Sequence, residues 1–161
     1  MKEIPLTQGK VALVDDEDYE RLVAMGKWHL SNYGYAARNT YFKKENGERI
    51  RVMLLMHKEI LGTSGKKMID HIDGNRLNNQ KYNLRKCSNS ENLQNRGLNK
   101  NNSSGFKGVH WNKKTNKWIA SLMGNGCRFH LGCFDYPIEA AKAYNEAAIK
   151  YHGEFANLNP I

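Results

Sequence analysis

The chain has 161 residues, with 25 Lys+Arg against 16 Asp+Glu and a formal net charge of +9. At 40% hydrophobic, 25% charged and 10% aromatic, the composition suits one compact domain or two small ones and excludes a disordered chain. No apolar run approaches the ~18 residues of a membrane span, and the opening MKEIPLTQGKVALVDDED has no apolar signal core, so residence in the cytoplasm is expected. Cys87, Cys127 and Cys133 are an odd set with no C-x-x-C pair, which argues against a disulfide framework and against a four-ligand zinc site.

In chain order, Lys10–Val14 is a strand candidate. Asp15-Asp16-Glu17-Asp18 then marks a helix start rather than a metal site, because successive acids there favour the dipole; Gly26 ends that helix. Trp28–Leu30 and Tyr33–Arg38 flank Ser31-Asn32 as a hairpin, and Asn46-Gly47 turns a second one into Glu48–Met56. Arg49–Met53 alternates polar and apolar residues, the pattern of a half-buried strand. Leu98–Gly105 (LNKNNSSG) lacks apolar periodicity and is expected to be a linker. Phe106–Trp111, Trp118–Met123 and Arg128–Phe134 are three short strands, with turns at Asn112–Asn116 and Gly124-Asn125-Gly126. A helix follows, capped by Asp135, with Pro137 in its first turn and Gly153 at its exit. Its apolar face is expected at Ile138, Ala141, Tyr144, Ala148 and Tyr151, over a strand core of Phe106, Val109, Ile119, Leu122, Leu131 and Phe134.

Charge is unevenly placed. Residues 1–42 carry net −1, residues 43–100 carry 13 Lys/Arg against 6 Asp/Glu for net +7, and residues 101–161 carry net +3. A local basic excess suits a polyanionic partner, although a solvated basic face would look the same on charge alone.

The densest polar cluster is Asp70-His71-Ile72-Asp73-Gly74-Asn75, followed by Asn78-Asn79, Asn83-Leu84-Arg85 and Glu91-Asn92. Phosphodiester hydrolysis needs a base for water, a divalent ion for the developing charge and cations to hold the backbone. Asp70 offers a hard oxygen ligand and His71 a base that is neutral near pH 7. Adjacent strand residues face opposite ways, so the two can serve one site only at a strand end, where Asp73-Gly74-Asn75 supplies a turn. The remaining readings are structural. Asn78, Asn79 and Asn89 suit turns or caps, and His57 suits a backbone-bonding role.

With Asn83 twelve residues after His71 and Asn92 nine further on, this set resembles the His-Asn-His (HNH) endonucleases of phage and intron homing type. The resemblance extends upstream through Val14–Tyr19, Lys27-Trp28 and Gly34-Tyr35-Ala36. It implies a ββα-metal (His-Me finger) core within an α+β fold. His71 would be the general base, Asn83 would pin the loop and orient it, and Asp70 and Asn92 would hold one Mg²⁺ or Mn²⁺. Arg76, Lys81, Arg85, Lys86 and Arg96 surround the cluster, and phosphate clamping is their expected role.

Downstream, Ser104-Gly105-Phe106-Lys107-Gly108-Val109-His110-Trp111, Lys117-Trp118-Ile119-Ala120, His130-Leu131-Gly132-Cys133-Phe134 and the Ala-rich 139–148 segment resemble the APETALA/ethylene-response-factor (ERF) DNA-binding domain. That resemblance implies a three-stranded antiparallel sheet, packed on one helix and laid into the major groove of duplex DNA. Lys107, His110, Lys117 and Arg128 would face DNA, with Trp111 or Trp118 near its backbone. Plant members carry arginines where Lys107 and His110 stand, so their target sequence does not transfer.

The expected organisation is residues 1–98 as a hairpin region plus nuclease core (about 48–98), a linker at 99–105, and the DNA-binding domain at 106–161. The expected function is a sequence-specific, metal-dependent DNA endonuclease acting on double-stranded DNA in a bacterial or phage-infected cell. One active site per chain is compatible with a monomer. Two other classes remain: a non-catalytic DNA-binding regulator on an inactive nuclease scaffold, and an RNA-binding protein, which the narrow A-form groove disfavours.

Overall fold

The computed structural model describes residues 1–63, 68–124 and 126–161. Asn125 of the expected Gly124-Asn125-Gly126 turn lies outside the described residues. The contacts divide the chain into two compact units, Met1–Lys86 and Cys87–Ile161. The whole is a mixed α and β structure of small sheets and few helices. Among the described residues no helix is long and apolar enough to cross a membrane.

In the first unit, β1 (Lys2–Pro5) pairs antiparallel with β2 (Val11–Val14), with Lys2 opposite Val14 and Pro5 opposite Val11. α1 (Asp16–Ala24) follows directly, so the acidic run does open a helix. β3 (His29–Leu30), β4 (Ala36–Lys43) and β5 (Arg49–Leu55) form an antiparallel sheet in chain order. α2 (Met56–Leu61) leads towards β6 (Met68–His71), which pairs with β7 (Leu84–Cys87). Ile4, Val14, Leu22, Trp28, Met56, Ile69 and Leu84 meet in one core. Trp28 also donates Nε1–H to the Leu22 carbonyl at 2.8 Å, satisfying an end group of α1.

The β4–β5 hairpin corrects the expected half-buried strand. Residues 41–51 are all exposed, Tyr41 at 61% and Phe42 at 56%, and Met53 beyond them is 45% accessible. Alternation therefore exists there without a layer to bury its apolar half.

In the second unit, α3 (Asn89–Gln94) precedes β8 (Val109–Asn112), β9 (Lys117–Gly124), β10 (Cys127–Phe134) and α4 (Pro137–His152). The sheet order is β10-β9-β8, both pairings antiparallel, and α4 packs on one face. Val109, Ala120, Ala140 and Ala141 form one part of its core, and Leu122, Tyr144, Ala147 and Ala148 another. The alanines let α4 lie close to the sheet. At Gly108, a Cβ would stand 2.1 Å from the Tyr144 ring and 2.6 Å from the Ser121 carbonyl oxygen.

Three expectations fail here for identifiable reasons. Asp135 does not cap α4; it pairs with Lys117, and the N-cap position belongs to Tyr136, which makes no side-chain cap. The buried stripe of α4 is Ala140, Ala141, Tyr144, Ala147, Ala148 and His152, while Ile138 and Tyr151 are 46% and 49% exposed. Ile119 cannot share a face with Leu122, since odd spacing on a strand reverses the face; it pairs with His110 and Cys133 away from the helix. A bulge between His130 and Gly132 lets Leu131 turn into the core.

The Leu98–Gly105 segment, expected to be a linker, carries hydrogen bonds of its own and others to Phe106 and Val109. Asn102 donates to the Phe106 carbonyl and accepts from Gly105 N–H, and the Ser104 hydroxyl lies within 2.9 Å of the carbonyls of Phe106 and Val109, which share its one proton. Asn and Ser side chains replace the backbone partners that a loop lacks.

Candidate functional site

The polar cluster is built on β6 and the loop after it. Asp70 and His71 end β6 and are 6% and 4% exposed. The chain then turns through Gly74, whose φ of +73° is open to glycine. Asn75 N–H bonds Asp73 Oδ1 at 2.7 Å, and Leu77 N–H bonds Asn75 Oδ1 at 3.1 Å. These are side-chain turns of the sort Asp and Asn favour.

Asn83 locks that loop from across it. Its Oδ1 accepts from Asp73 N–H at 3.0 Å, and its Nδ2 donates to Asp73 Oδ1 at 2.8 Å and to the Asn78 carbonyl at 2.9 Å. Asn78 adds a bond to Asp73 Oδ2 at 2.9 Å. Those donors hold the Asp73 carboxyl below its ordinary pKa, even though burial acts the other way. Leu13 of β2 brackets the far side: Leu13 N–H donates to Leu77 O and Leu13 O accepts from Asn79 N–H, both at 2.8 Å. Asp15 accepts from Gln80 Nε2 and Lys81 N–H, so this residue anchors the motif loop rather than capping α1 with its side chain.

His71 itself is oriented by Asn79, not by the side chain of Asn83. Asn79 Nδ2 donates to Leu77 O at 3.1 Å, which turns Oδ1 towards His71 Nε2 at 3.4 Å. An acceptor at Nε2 places the proton there and leaves Nδ1 the basic nitrogen. Burial holds the His71 pKa below the usual histidine value, partly offset by Asn79 and the nearby carboxylates. Asn79 is the residue that sequence reasoning placed in a turn; its separation of eight from His71 carried no signal of contact.

The His71 ring packs against two others. His57 meets it edge-on with centroids 5.1 Å apart, and Tyr35 lies 5.8 Å away. Burial pushes the His57 pKa down to about 3. Arg76 lies over the Tyr35 ring at 4.8 Å and donates to the Tyr33 carbonyl at 2.6 Å, remaining exposed beside the cluster. Lys86 is also exposed, at the end of β7.

Asp70 meets Arg85 across the β6–β7 pair. Arg85 Nε and Nη2 both bond Asp70 Oδ2, at 3.0 and 2.8 Å, so the residue expected to clamp phosphate is paired with a carboxylate here. Among the described residues, no hydrogen bond to Asp70 Oδ1 occurs, so that oxygen is the one available to a cation. No group of three or more His, Cys, Asp or Glu residues gathers around it or elsewhere among the described residues.

The other expected residues lie in the second unit. Asn92 is on α3, half-buried, and α3 opens with Ser88 as N-cap in a capping box with Glu91. The Ser88-Asn89-Ser90-Glu91 spacing is the signal that would have found this helix start. His110, Lys117 and Arg128 lie on the sheet face turned away from α4, because His110 pairs with Ile119, Lys117 with Asn112 and Arg128 with Met123. Trp111 and Trp118 pair with each other on the opposite, helix-side face, their rings 5.1 Å apart. Lys107 is not on the outer face either: its Nζ donates to the Gln94 carbonyl at 2.5 Å. Arg96 is exposed just beyond α3.

Known proteins resemble the chain in two stretches. The HNH endonuclease family profile matches residues 63–94, and the AP2 domain profile matches residues 104–154. An uncharacterized HNH endonuclease of Acanthamoeba polyphaga mimivirus is 31% identical over 140 residues, covering 87% of this chain and 70% of the relative. Protein 3.8 of Escherichia phage T7 is 36% identical over 90 residues, 56% of this chain and 74% of that protein. APETALA2-like protein 2 of Oryza sativa is 39% identical over 57 residues, 35% of this chain but only 13% of the plant protein. The viral similarity runs through most of the chain and includes the Asp70-His71 loop, and on that ground the chain belongs to the HNH endonuclease family, with an AP2 domain in its C-terminal part.

Proposed function

We propose that the chain is a divalent-metal-dependent, sequence-specific endonuclease of homing type that hydrolyses phosphodiester bonds in double-stranded DNA. The observation that supports this is a buried His71 with its Nε2 3.4 Å from Asn79 Oδ1 and its pKa lowered by burial, next to the Asp70 carboxylate, whose Oδ2 is taken by Arg85. In this reading His71 Nδ1 takes the proton from the attacking water. Asn83 and Asn79 keep the loop and imidazole in place, a supporting task of the kind that tunes such sites by 10–100-fold. Asp70 and Asn92 are the residues that would hold one Mg²⁺ or Mn²⁺. That ion supplies stabilisation of charge on the phosphate and leaving oxygen. Arg76, Lys86 and Arg96 would grip the backbone, and His110, Lys117 and Arg128 on the outer sheet face would read or contact the duplex. In domain terms, residues 1–98 would cut and 106–161 would anchor, with 99–105 between them.

The Arg85–Asp70 pair favours a second reading, a non-catalytic DNA-binding regulator, because it already neutralises the carboxylate a metal would need. One experiment separates the two. Incubation with a genomic DNA library in Mg²⁺ or Mn²⁺, with EDTA as control, and sequencing of new 5′ ends should reveal metal-dependent cuts. His71→Ala should lower that cleavage by ~10²–10⁴-fold, the usual worth of a general base, and Asn79→Leu by ~10–100-fold. Both should retain gel-shift affinity. Retained DNA binding with no cut in any duplex would establish the regulator instead.

A further inference from the structure

β8 pairs with β9 along Lys117–Ala120; beyond that ladder Ser121 N–H bonds the Gly108 carbonyl, and the Met123 carbonyl is met by His152 instead of a strand. α3 packs there, and the segment after it closes a cleft of about 410 Å³ within the second unit. That size falls in the range of small-molecule sites.

Three features of its lining point to one ligand chemistry. Arg96, Lys107 and Arg128 all face it, no Asp or Glu lines it, and none of the three makes an ion pair with a described carboxylate. Lys107 is half-buried with only a backbone carbonyl as partner, and that desolvation pulls its pKa down to about 8, as expected of a cation lacking its counter-charge. Leu93, Leu98 and Met123 line the same cleft yet remain 55%, 51% and 52% exposed, offering apolar surface at the mouth. Finally, His152 is only 7% exposed; its Nε2 lies 2.8 Å from the Met123 carbonyl, while its Nδ1 is buried with no hydrogen-bond partner among the described residues. Nε2 must donate to that carbonyl, so Nδ1 is an acceptor awaiting a donor.

We propose that this cleft binds a single nucleotide unit, with its phosphate against Arg96, Lys107 and Arg128, its base on the leucine and methionine surface, and a base or sugar donor for His152. An anion, a flat apolar face and a hydrogen-bond donor occur together in a nucleotide and not in inorganic phosphate or a lipid tail. An unpaired strand end and a free nucleotide share that chemistry. The proposal extends the nucleic-acid reading of this unit without depending on cleavage.

The test uses the full chain in EDTA, so a protein inert as a nuclease still answers it. Calorimetric titration compares 2′-deoxyadenosine 5′-monophosphate, the unphosphorylated nucleoside, inorganic phosphate and a 5′-phosphorylated single-stranded octanucleotide. The nucleotide should bind saturably and at least tenfold tighter than either the nucleoside or phosphate alone. Arg96→Gln and Arg128→Gln should each weaken it about tenfold with unchanged thermal unfolding. An octanucleotide displaced by the mononucleotide would identify a strand end as the source, and an octanucleotide that does not bind would identify the free nucleotide. Equal affinity for nucleoside and nucleotide, or indifference to both arginine substitutions, would overturn the proposal.

Discussion

Gly108→Ala against Gly105→Ala separates backbone strain from crowding in the second unit. Both glycines have φ of +75°, so both alanines meet the same left-handed penalty, roughly 1–2 kcal/mol, partly offset by the ~0.4–1 kcal/mol an alanine removes from unfolded-state freedom. At Gly105 nothing lies within 4 Å of the added Cβ, and the cost stops there, at about 1 kcal/mol or less. At Gly108 the same atom meets Tyr144 Cδ2 at 2.1 Å, Cε2 at 2.5 Å and the Ser121 carbonyl at 2.6 Å. Tyr144 is 2% exposed and packs with Leu122, Ala147 and Ala148, and the Ser121 contact is backbone, so relieving the crowding disturbs both the core and β9. Overpacking of such a core adds ~1–3 kcal/mol, giving about 2–4 kcal/mol in total. For a unit of this size each kcal/mol moves Tm by roughly 4–8 °C. Thermal unfolding should therefore place Gly108→Ala some ~10–30 °C below wild type and Gly105→Ala within about 8 °C. A double-mutant cycle with Tyr144→Ala should show coupling of ~1–3 kcal/mol, since the smaller side chain removes the clash. Equal Tm values for the two alanine variants would refute the crowding argument.

Other outcomes follow from the first unit and from the charge. The His57 pKa, lowered to about 3 by burial, lies below its ordinary value of 6.5. The unfolded chain therefore binds the extra proton between those values, and stability rises with pH across pH 3 to 6.5 by at most about 4–5 kcal/mol. Urea unfolding at pH 7 and pH 5 should show this rise, and His57→Phe should flatten it; an unchanged slope would reject a buried neutral His57. Arg85→Met leaves the buried Asp70 carboxylate without its partner and should cost ~3–5 kcal/mol in EDTA. Millimolar Mg²⁺ should return part of that stability if Asp70 takes a cation, and no difference between EDTA and Mg²⁺ would count against Asp70 as a ligand. If about six phosphates are neutralised, log K for duplex binding should fall with log[salt] at a slope of roughly −5. A slope near zero would show that the +7 of residues 43–100 does not serve DNA.

The residues named in the sequence and the contacts found among them diverge in instructive ways. Turn chemistry was legible because it is local. Asp73-Gly74-Asn75, the acidic start of α1 and the hairpin at Asn46-Gly47 depend on near neighbours, and each forms as expected. The three C-terminal strands and α4 were likewise legible, from strand runs and helical spacing. Registers were not: the bulge at Leu131, the outer position of Ile119 and the inward Trp111–Trp118 pair depend on which strand faces which. A single-residue offset reverses every side chain.

Motif spacing by itself determined the two families this chain resembles, picked out Asp70, His71, Asn83 and Asn92 as the set proposed to carry the chemistry, and located the concentration of charge in residues 43–100. Tertiary structure alone decided the partners. It joined Asn79 to His71, His57 and Tyr35 to the same imidazole, Arg85 to Asp70, and Asp15 to a loop 65 residues away. It also left Arg96, Lys107 and Arg128 around a cleft without a carboxylate. The physical reason is range. Capping, turns and periodicity act over a few residues, whereas the pairing of a buried charge and the tautomer of a buried imidazole depend on which distant atoms share a low-dielectric neighbourhood.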